Sequence, residues 1–569
     1  MTHTPHDPLQ GDPDGTTCAD AGFTGTARAV APAARVPGLD VIRGVALLGI
    51  LLLNIVDFAW PSQAYESVAA LYYTTDSIGV IPDPDAEAAA KKKEDAPKDD
   101  WMFLADPKPD PKGAFPLGVV RIAAVSSVWD IVEWAVVRVF FANKMRTLFC
   151  ILFGAGLVYL TDGLIDKGIR PLWLHYRRML LLLLIGFLHG ALVWQGDILF
   201  GYAAVGLYLY PFRRLQGTTL ARVSLGMFVS VIVLLWIGIG VFVVVKRRGP
   251  VLQEEVLAAA ARSLAEAGEE AGPSGGTEPA DGQPAGADTD GKEPPSPEDA
   301  RNAARKKAVE ALGFVDRLML RGHRSITRRN DAQRPELLTR DIRLHRDGTW
   351  LDQVKGRMKG GPWRWLGMLT PLSLLFLGWL MILGMSLAKT GFFAGAWPVE
   401  RYRFLAFRLV PIGWLIEALI LLLQRGLRRE SIFNLAVLFP VEQAVIPALA
   451  LGYAAAIILL LRSGRGRGMT DRLAMAGRMA LSNYLAQSIL CTTLFYSHGL
   501  RLYGSLPRVW LLAVVFGIWA LELWWSPLWL ARHPSGPVEW CWRSLAALER
   551  QPWRRRPAPG PVQVPQNVV

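Results

Sequence analysis

The chain has little cysteine, little charge and none of the short signatures of the common hydrolases. Its four cysteines, Cys18, Cys150, Cys491 and Cys541, are scattered over 569 residues. That spacing fits neither a zinc site nor a redox pair nor a disulfide framework, so no metal site is expected. There is no Gly-rich phosphate loop, no HExxH and no GxSxG motif. The first 40 residues lack a basic start followed by an apolar core, so no cleavable signal peptide is expected. Only 20% of the residues are charged, yet the net charge is +13. The Lys and Arg fall mostly in loops between apolar runs and in the tail, which is the distribution of the positive-inside rule. That argues against a nucleic-acid partner.

What is abundant is apolar. Hydrophobic residues make up 51% of the chain, and several of its 21 Trp lie at the ends of apolar runs, as an interfacial belt requires. A membrane span takes roughly 17–25 mostly apolar residues. The sequence predicts about ten, near 41–58, 145–161, 178–195, 198–212, 221–245, 363–388, 402–424, 433–461, 479–498 and 507–530. The expected fold is therefore all-α, a polytopic helical bundle in a lipid bilayer. Between the first two spans, 119–141 carries Arg121, Asp130, Glu133 and Arg138 and reads as an amphipathic helix at the interface.

The expected organisation is a disordered cytoplasmic tail (1–38), then an N-terminal bundle (39–245) with a polar outer loop at 61–115. A largely disordered hydrophilic insertion (246–361), a C-terminal bundle (362–545) and a basic cytoplasmic tail (546–569) follow. Basic loops at 162–178 and 462–478 put both termini in the cytoplasm of an inner-membrane protein, while Arg425, Arg428 and Arg429 fall on the other side.

The polar residues inside apolar runs are the candidates for function. Asp40, Arg43, Gly44 and Asn54 share one stripe of the first span with Leu47 and Phe58, and Asp57 follows. Such a stripe is usually turned toward a protein interior or a wet cavity. Arg43 suits an anionic group such as a phosphate, or pairs with Asp40 to anchor the helix start. His189 ends the third span in Gly186-Phe187-Leu188-His189-Gly190, and Asp197 opens the next after a short turn. A histidine beside carboxylates is a candidate general base, or it hydrogen-bonds a neighbouring helix and does no more. Asn483 and Gln487, four residues apart, suit interhelical hydrogen bonds. Glu417, Glu442 and Glu522 are single acids in or beside spans.

Five stretches occur in one order: Leu39 to Ile50, Leu148 to Gly154, Gly196-Asp197-Ile198-Leu199, Gly477 to Ser488 and Gly536 to Arg543. Together they resemble the YeiB-like family of bacterial membrane proteins, the domain of unknown function 418. Cys150 and the insertions at 61–115 and 246–361 depart from its usual pattern. The first stretch is also similar to the Asp-x-x-Arg-Gly signature of transmembrane acyltransferases, including the lysosomal heparan-glucosamine acetyltransferases. The resemblance implies transfer of an acyl group from cytoplasmic acyl-CoA to a hydroxyl or amine acceptor at the outer face, with no bound cofactor. Those enzymes use a histidine just beyond the signature span. Here that position reads Phe58 to Gln63 without one, and His189 takes its place in the expectation. Arg43, with Asp40 and Asn54, is then expected at the substrate, and His189 with Asp197 or Asp57 at the proton transfer. A transporter lined by the same stripe, or a structural or regulatory membrane protein, are the other classes compatible with these residues.

Overall fold

The structure is a computed structural model. It describes residues 36–61, 128–270, 297–331, 335–359, 365, 367–426 and 433–555. The N-terminal tail, nearly all of the 61–115 loop, residues 271–296 and the end of the basic tail lie outside them. Among the described residues the regular elements are all helical.

The first helix, α1 (Pro37–Ala59), starts with Pro at its first turn and an acidic Asp40 facing its positive end. It is the central helix: 72% of its apolar window is buried, against 11% for the helix beginning at Gly217. Helices α2 (Val128–Val136) and α3 (Lys144–Ile165) follow, joined by a π-helical turn, Val137–Phe141. Next come α4 (Leu172–Leu192), α5 (Leu199–Leu209) and α6 (Gly217–Glu270). The insertion holds α7 (Pro297–Ala311), α8 (Phe314–Asp331), α9 (Pro335–Arg346) and α10 (Trp350–Lys359). The second half has α11 (Pro371–Lys389), α12 (Val399–Phe404), α13 (Val410–Gly426) and α14 (Phe439–Ser463). It ends with α15 (Arg467–Arg478), α16 (Ala480–Phe495), α17 (Arg508–Arg532) and α18 (Pro537–Ala547). The described parts of the ten expected spans lie mostly on helices, the span expected at 363–388 having its helix over Pro371–Lys389. Seven helices among the described residues are long and apolar enough to cross a bilayer. Those at Leu199–Leu209, Leu375–Lys389 and Ala480–Phe495 are shorter.

Glycine sets the tightest crossings. A Cβ on Gly44 would strike the Leu473 carbonyl oxygen, and one on Gly477 the Asp40 carbonyl oxygen. So α1 and α15 touch backbone to backbone, which small residues alone permit. Gly154 of α3 meets the Met381 carbonyl in the same way, in keeping with a packing role for Gly154-Ala155-Gly156.

Two readings of the sequence change. The charges of 128–141 are not at an exposed interface. Asp130 and Glu133 are buried, Asp130 accepts a hydrogen bond from Val509 N–H (2.8 Å), and Glu133 pairs with Arg508 of α17. A charge count sees four unfavourable groups; Arg121 lies outside the described residues, and the fold supplies partners for Asp130, Glu133 and Arg138. The insertion, expected to be largely disordered, is helical over much of its length. Helix α6 has 54 residues and is about 80 Å long, against a hydrocarbon core of about 30 Å, so it must project beyond a bilayer. Leu252 and Val256 of its projecting part pack on Leu320, Val309 and Leu312. Only a thin apolar stripe is buried, and average composition hides it.

The bundle has two distinct ends. At one, Lys389 Nζ donates to the Arg213 and Leu215 carbonyls (2.5 and 2.9 Å), and Arg478 to the Pro534 carbonyl (3.3 Å). At the other lie Ala59, Leu192, Phe495 and the α9–α10 arm.

Candidate functional site

Helices α4 and α5 approach closely because residue 186 is glycine: a Cβ there would collide with the Phe200 backbone nitrogen. The turn between them brings Asp197 back against His189. Nδ1–H of His189 donates to Asp197 Oδ1 (2.8 Å), and Asp197 Oδ2 accepts from Phe200 N–H (2.8 Å) in the first turn of α5. The carboxylate is thus held by the helix start as well as by the imidazole. Both side chains are buried, at 2% and 0% exposure. A carboxylate on Nδ1 fixes the tautomer and leaves Nε2 as an acceptor. Nε2 is buried without a hydrogen-bond partner, as are the Tyr484 hydroxyl and the Trp194 indole nitrogen. The rings of Tyr484 and Trp194 lie 5.3 and 6.5 Å from His189.

The first span contributes unevenly. His189 takes Asp197, not Asp57, as its partner. Asp57 lies near the phenols of Tyr496 and Tyr503 instead. Asn54 is half-buried, one turn before Phe58, whose ring stacks on Trp194 at 4.1 Å. Asp40 and Arg43 pair at 3.1 Å near the basic end, with Arg43 26% and Asp40 17% exposed.

A cavity of about 280 Å³ connects these levels. Arg43, Arg178, Arg478 and Arg543 line it at the basic end. The Arg178 guanidinium lies over the Trp542 ring at 4.2 Å, and its Nε is buried without a partner. Leu47, Phe149, Phe153, Met179 and Leu182 form an apolar middle. Ile198, Leu199 and Tyr484 close the far end beside His189 and Asp197. Eleven residues of α4 separate Arg178 from His189, about 16 Å at 1.5 Å per residue. A cationic mouth and an apolar body ending at a buried base suit an anionic amphiphile. Of the four arginines, sequence reasoning assigned a ligand only to Arg43. Arg178 and Arg478 read as loop charges, and Arg543 only as part of a motif, because their convergence is tertiary.

The α9–α10 arm covers the opposite end. Arg357 donates to the carbonyls of Ala191 and Leu192 (both 3.0 Å), satisfying the C-terminus of α4 just past His189. Trp350 also donates to Leu192 (3.0 Å), and Gln353 to Ser497 (2.9 Å). Tyr503 donates to Asp341 (2.9 Å). Burial, with that carboxylate beside it, raises the Tyr503 phenol well above its ordinary pKa and keeps the donor protonated.

Two of the three single acids are paired. Lys144 Nζ, fully buried, lies 3.1 Å from Glu417, and Arg138 reaches Glu442 at 2.6 Å and Glu417 at 3.9 Å. Arg138 lies on the π-helical turn 137–141 with Lys144 just beyond it, and Glu442 follows the turn 434–438. The third acid, Glu522, accepts from Gln487 (3.0 Å), and Asn483 donates to Ser526 (3.1 Å). Asn483 and Gln487 therefore both bond across to α17, as their spacing suggested. Among the described residues no group of three or more His, Cys, Asp or Glu side chains is placed to hold a metal ion.

The fold and this site define a polytopic helical membrane protein with a buried histidine–aspartate pair beside an arginine-mouthed cavity. The family described as "Protein of unknown function (DUF418)" matches residues 387–549. The chain is 28% identical over 507 residues to the uncharacterised protein YeiB of Escherichia coli (strain K12), covering 89% of this chain and 95% of that one. It is 24% identical over 520 residues to the uncharacterised protein YxaH of Bacillus subtilis (strain 168), covering 91% and 96%. The chain is thus similar over most of its length to two YeiB-like proteins, and its second half carries the DUF418 match. No solved structure matches it.

Proposed function

We propose that the protein is an inner-membrane acyltransferase that moves an acyl group from a cytoplasmic acyl-CoA to a hydroxyl or amine acceptor at the outer face. The observation that carries this reading is the cavity that runs from four arginines to Ile198, Leu199 and Tyr484, beside the His189–Asp197 pair. The arginines would hold the donor's phosphates, and the apolar middle its acyl arm. His189 Nε2 would take the acceptor's proton, with Asp197 orienting the ring and stabilising the imidazolium.

Binding of acyl-CoA to the purified protein tests the donor site. Arg178→Lys and Arg43→Lys each replace a planar fork by a point charge, and Arg178→Lys also loses the stack on Trp542. A lost charge-assisted contact is worth about 1.5 kcal/mol or more, so affinity is expected to fall about tenfold in each variant. Wild-type affinity in both would remove the cavity as the donor site.

The reading also fixes an orientation, since basic loops face the cytoplasm. Asp347 in the α9–α10 arm and Cys541 in α18 are both exposed and lie at opposite ends. In spheroplasts a membrane-impermeant maleimide is expected to label Asp347→Cys at once and Cys541 only after lysis. The reverse pattern would invert the topology and with it the direction of transfer.

A further inference from the structure

Tyr484 is the side chain that joins the cavity to the base. It lines the cavity wall, and its ring lies 5.3 Å from that of His189. Its hydroxyl is buried with no acceptor for its proton; the Ile198 backbone N–H is set against its oxygen. Ile198 itself lines the cavity. A buried hydroxyl left unpaired costs about 1–3 kcal/mol, and such groups in folded proteins call for an explanation. Here two orphans lie on neighbouring rings: an acceptor, His189 Nε2, and a donor, the Tyr484 hydroxyl.

The first turn of α16 that carries Tyr484 is held firmly. Glu539 of α18 accepts from Leu481 N–H (2.7 Å), from Ser482 N–H (3.1 Å) and from the Ser482 hydroxyl. On the other face, Asn483 accepts from Trp525 (2.9 Å) and donates to Ser526 (3.1 Å). The phenol is therefore preorganised and not a loose surface donor.

We infer that Tyr484 is the hydrogen-bond donor to the carbonyl oxygen of an acyl thioester held at the head of the cavity. This rests on the acyltransferase reading. As the acceptor oxygen bonds to the acyl carbon, its proton passes to His189 Nε2 and the carbonyl oxygen gains negative charge against the Tyr484 O–H. The carbon–sulfur bond then breaks, and the proton on Nε2 goes to the leaving thiolate. Tyr484 keeps its own proton throughout. Removing one donor to such an oxyanion typically lowers kcat about 10²–10³-fold.

The test is Tyr484→Phe, which keeps the ring and removes only the hydroxyl. Purified protein in vesicles of bacterial total lipid extract is supplied with acetyl-CoA, hexanoyl-CoA or palmitoyl-CoA, and thiol release is followed. The expected result is a kcat loss of about 10²–10³-fold, with the KM for the acyl-CoA and the melting temperature no worse than wild type. A merely structural tyrosine would leave kcat unchanged, because deleting an unpaired hydroxyl is close to neutral for stability. Wild-type turnover in Tyr484→Phe overturns the inference alone. Acyl-CoA that neither binds wild-type protein nor releases thiol overturns the acyltransferase reading and the inference with it.

Discussion

Replacing His189 with alanine is expected to lower acyl transfer by about 10²–10⁴-fold, the usual contribution of a positioned base. Acyl-CoA binding should persist, because Arg178 of the cavity mouth stands about 16 Å away along α4. His189 does not line the cavity itself, so donor affinity and turnover can separate cleanly. Asp197→Asn should show a related defect. An amide can present its N–H to Nδ1, which favours the tautomer with the proton on Nε2 and removes the acceptor the reaction needs. The two changes should not add, since both disable one unit. Transfer by His189→Ala at the wild-type rate would leave the histidine–aspartate pair as a packing device between α4 and α5.

The largest stability effect is expected at Lys144. Its ammonium is fully buried and lies 3.1 Å from Glu417, which is itself buried. Lys144→Met strands that carboxylate. Breaking a buried pair by removing one partner costs about 3–5 kcal/mol. Arg138, 3.9 Å from Glu417, offsets part of this. The double variant Lys144→Met, Glu417→Leu removes both charges and should recover most of the loss, since buried pairs are often replaceable by apolar side chains. Thermal unfolding of the purified variants in detergent reads both. A single variant within about 1 kcal/mol of wild type would mean that water reaches the site and that the pair is not desolvated.

This charge cluster also shows where reasoning from the chain alone stops. Glu417 and Glu442 stand out as acids in apolar runs, and the expectation that they are lined up with something follows from the penalty of an unpaired charge. Their partners, Arg138 and Lys144, lie some 270 to 300 residues earlier. One of them sits in a segment that its own charge count assigns to the membrane surface. No periodicity within that segment can reveal a partner on another helix.

The same division runs through the site. By itself the sequence determined the helical membrane class, the positions of the main apolar helices, the polar stripe of α1 and the His189–Asp197 neighbourhood. Each of these is a local property: apolar run length, a 3.6-residue period, or two polar groups separated by one short turn. It also marked Gly44, Gly154 and Gly477 as parts of motifs. Only the tertiary structure decided that Gly44 and Gly477 touch across two helices, and that His189 takes Asp197 and not Asp57 as its partner. Only it brought Arg43, Arg178, Arg478 and Arg543, from four different helices or helix ends, to one cavity mouth. It alone folded the insertion into helices that cover the far end. Those outcomes depend on backbone approach and on pairing between distant segments, where one helix supplies the charge or the carbonyl that another lacks.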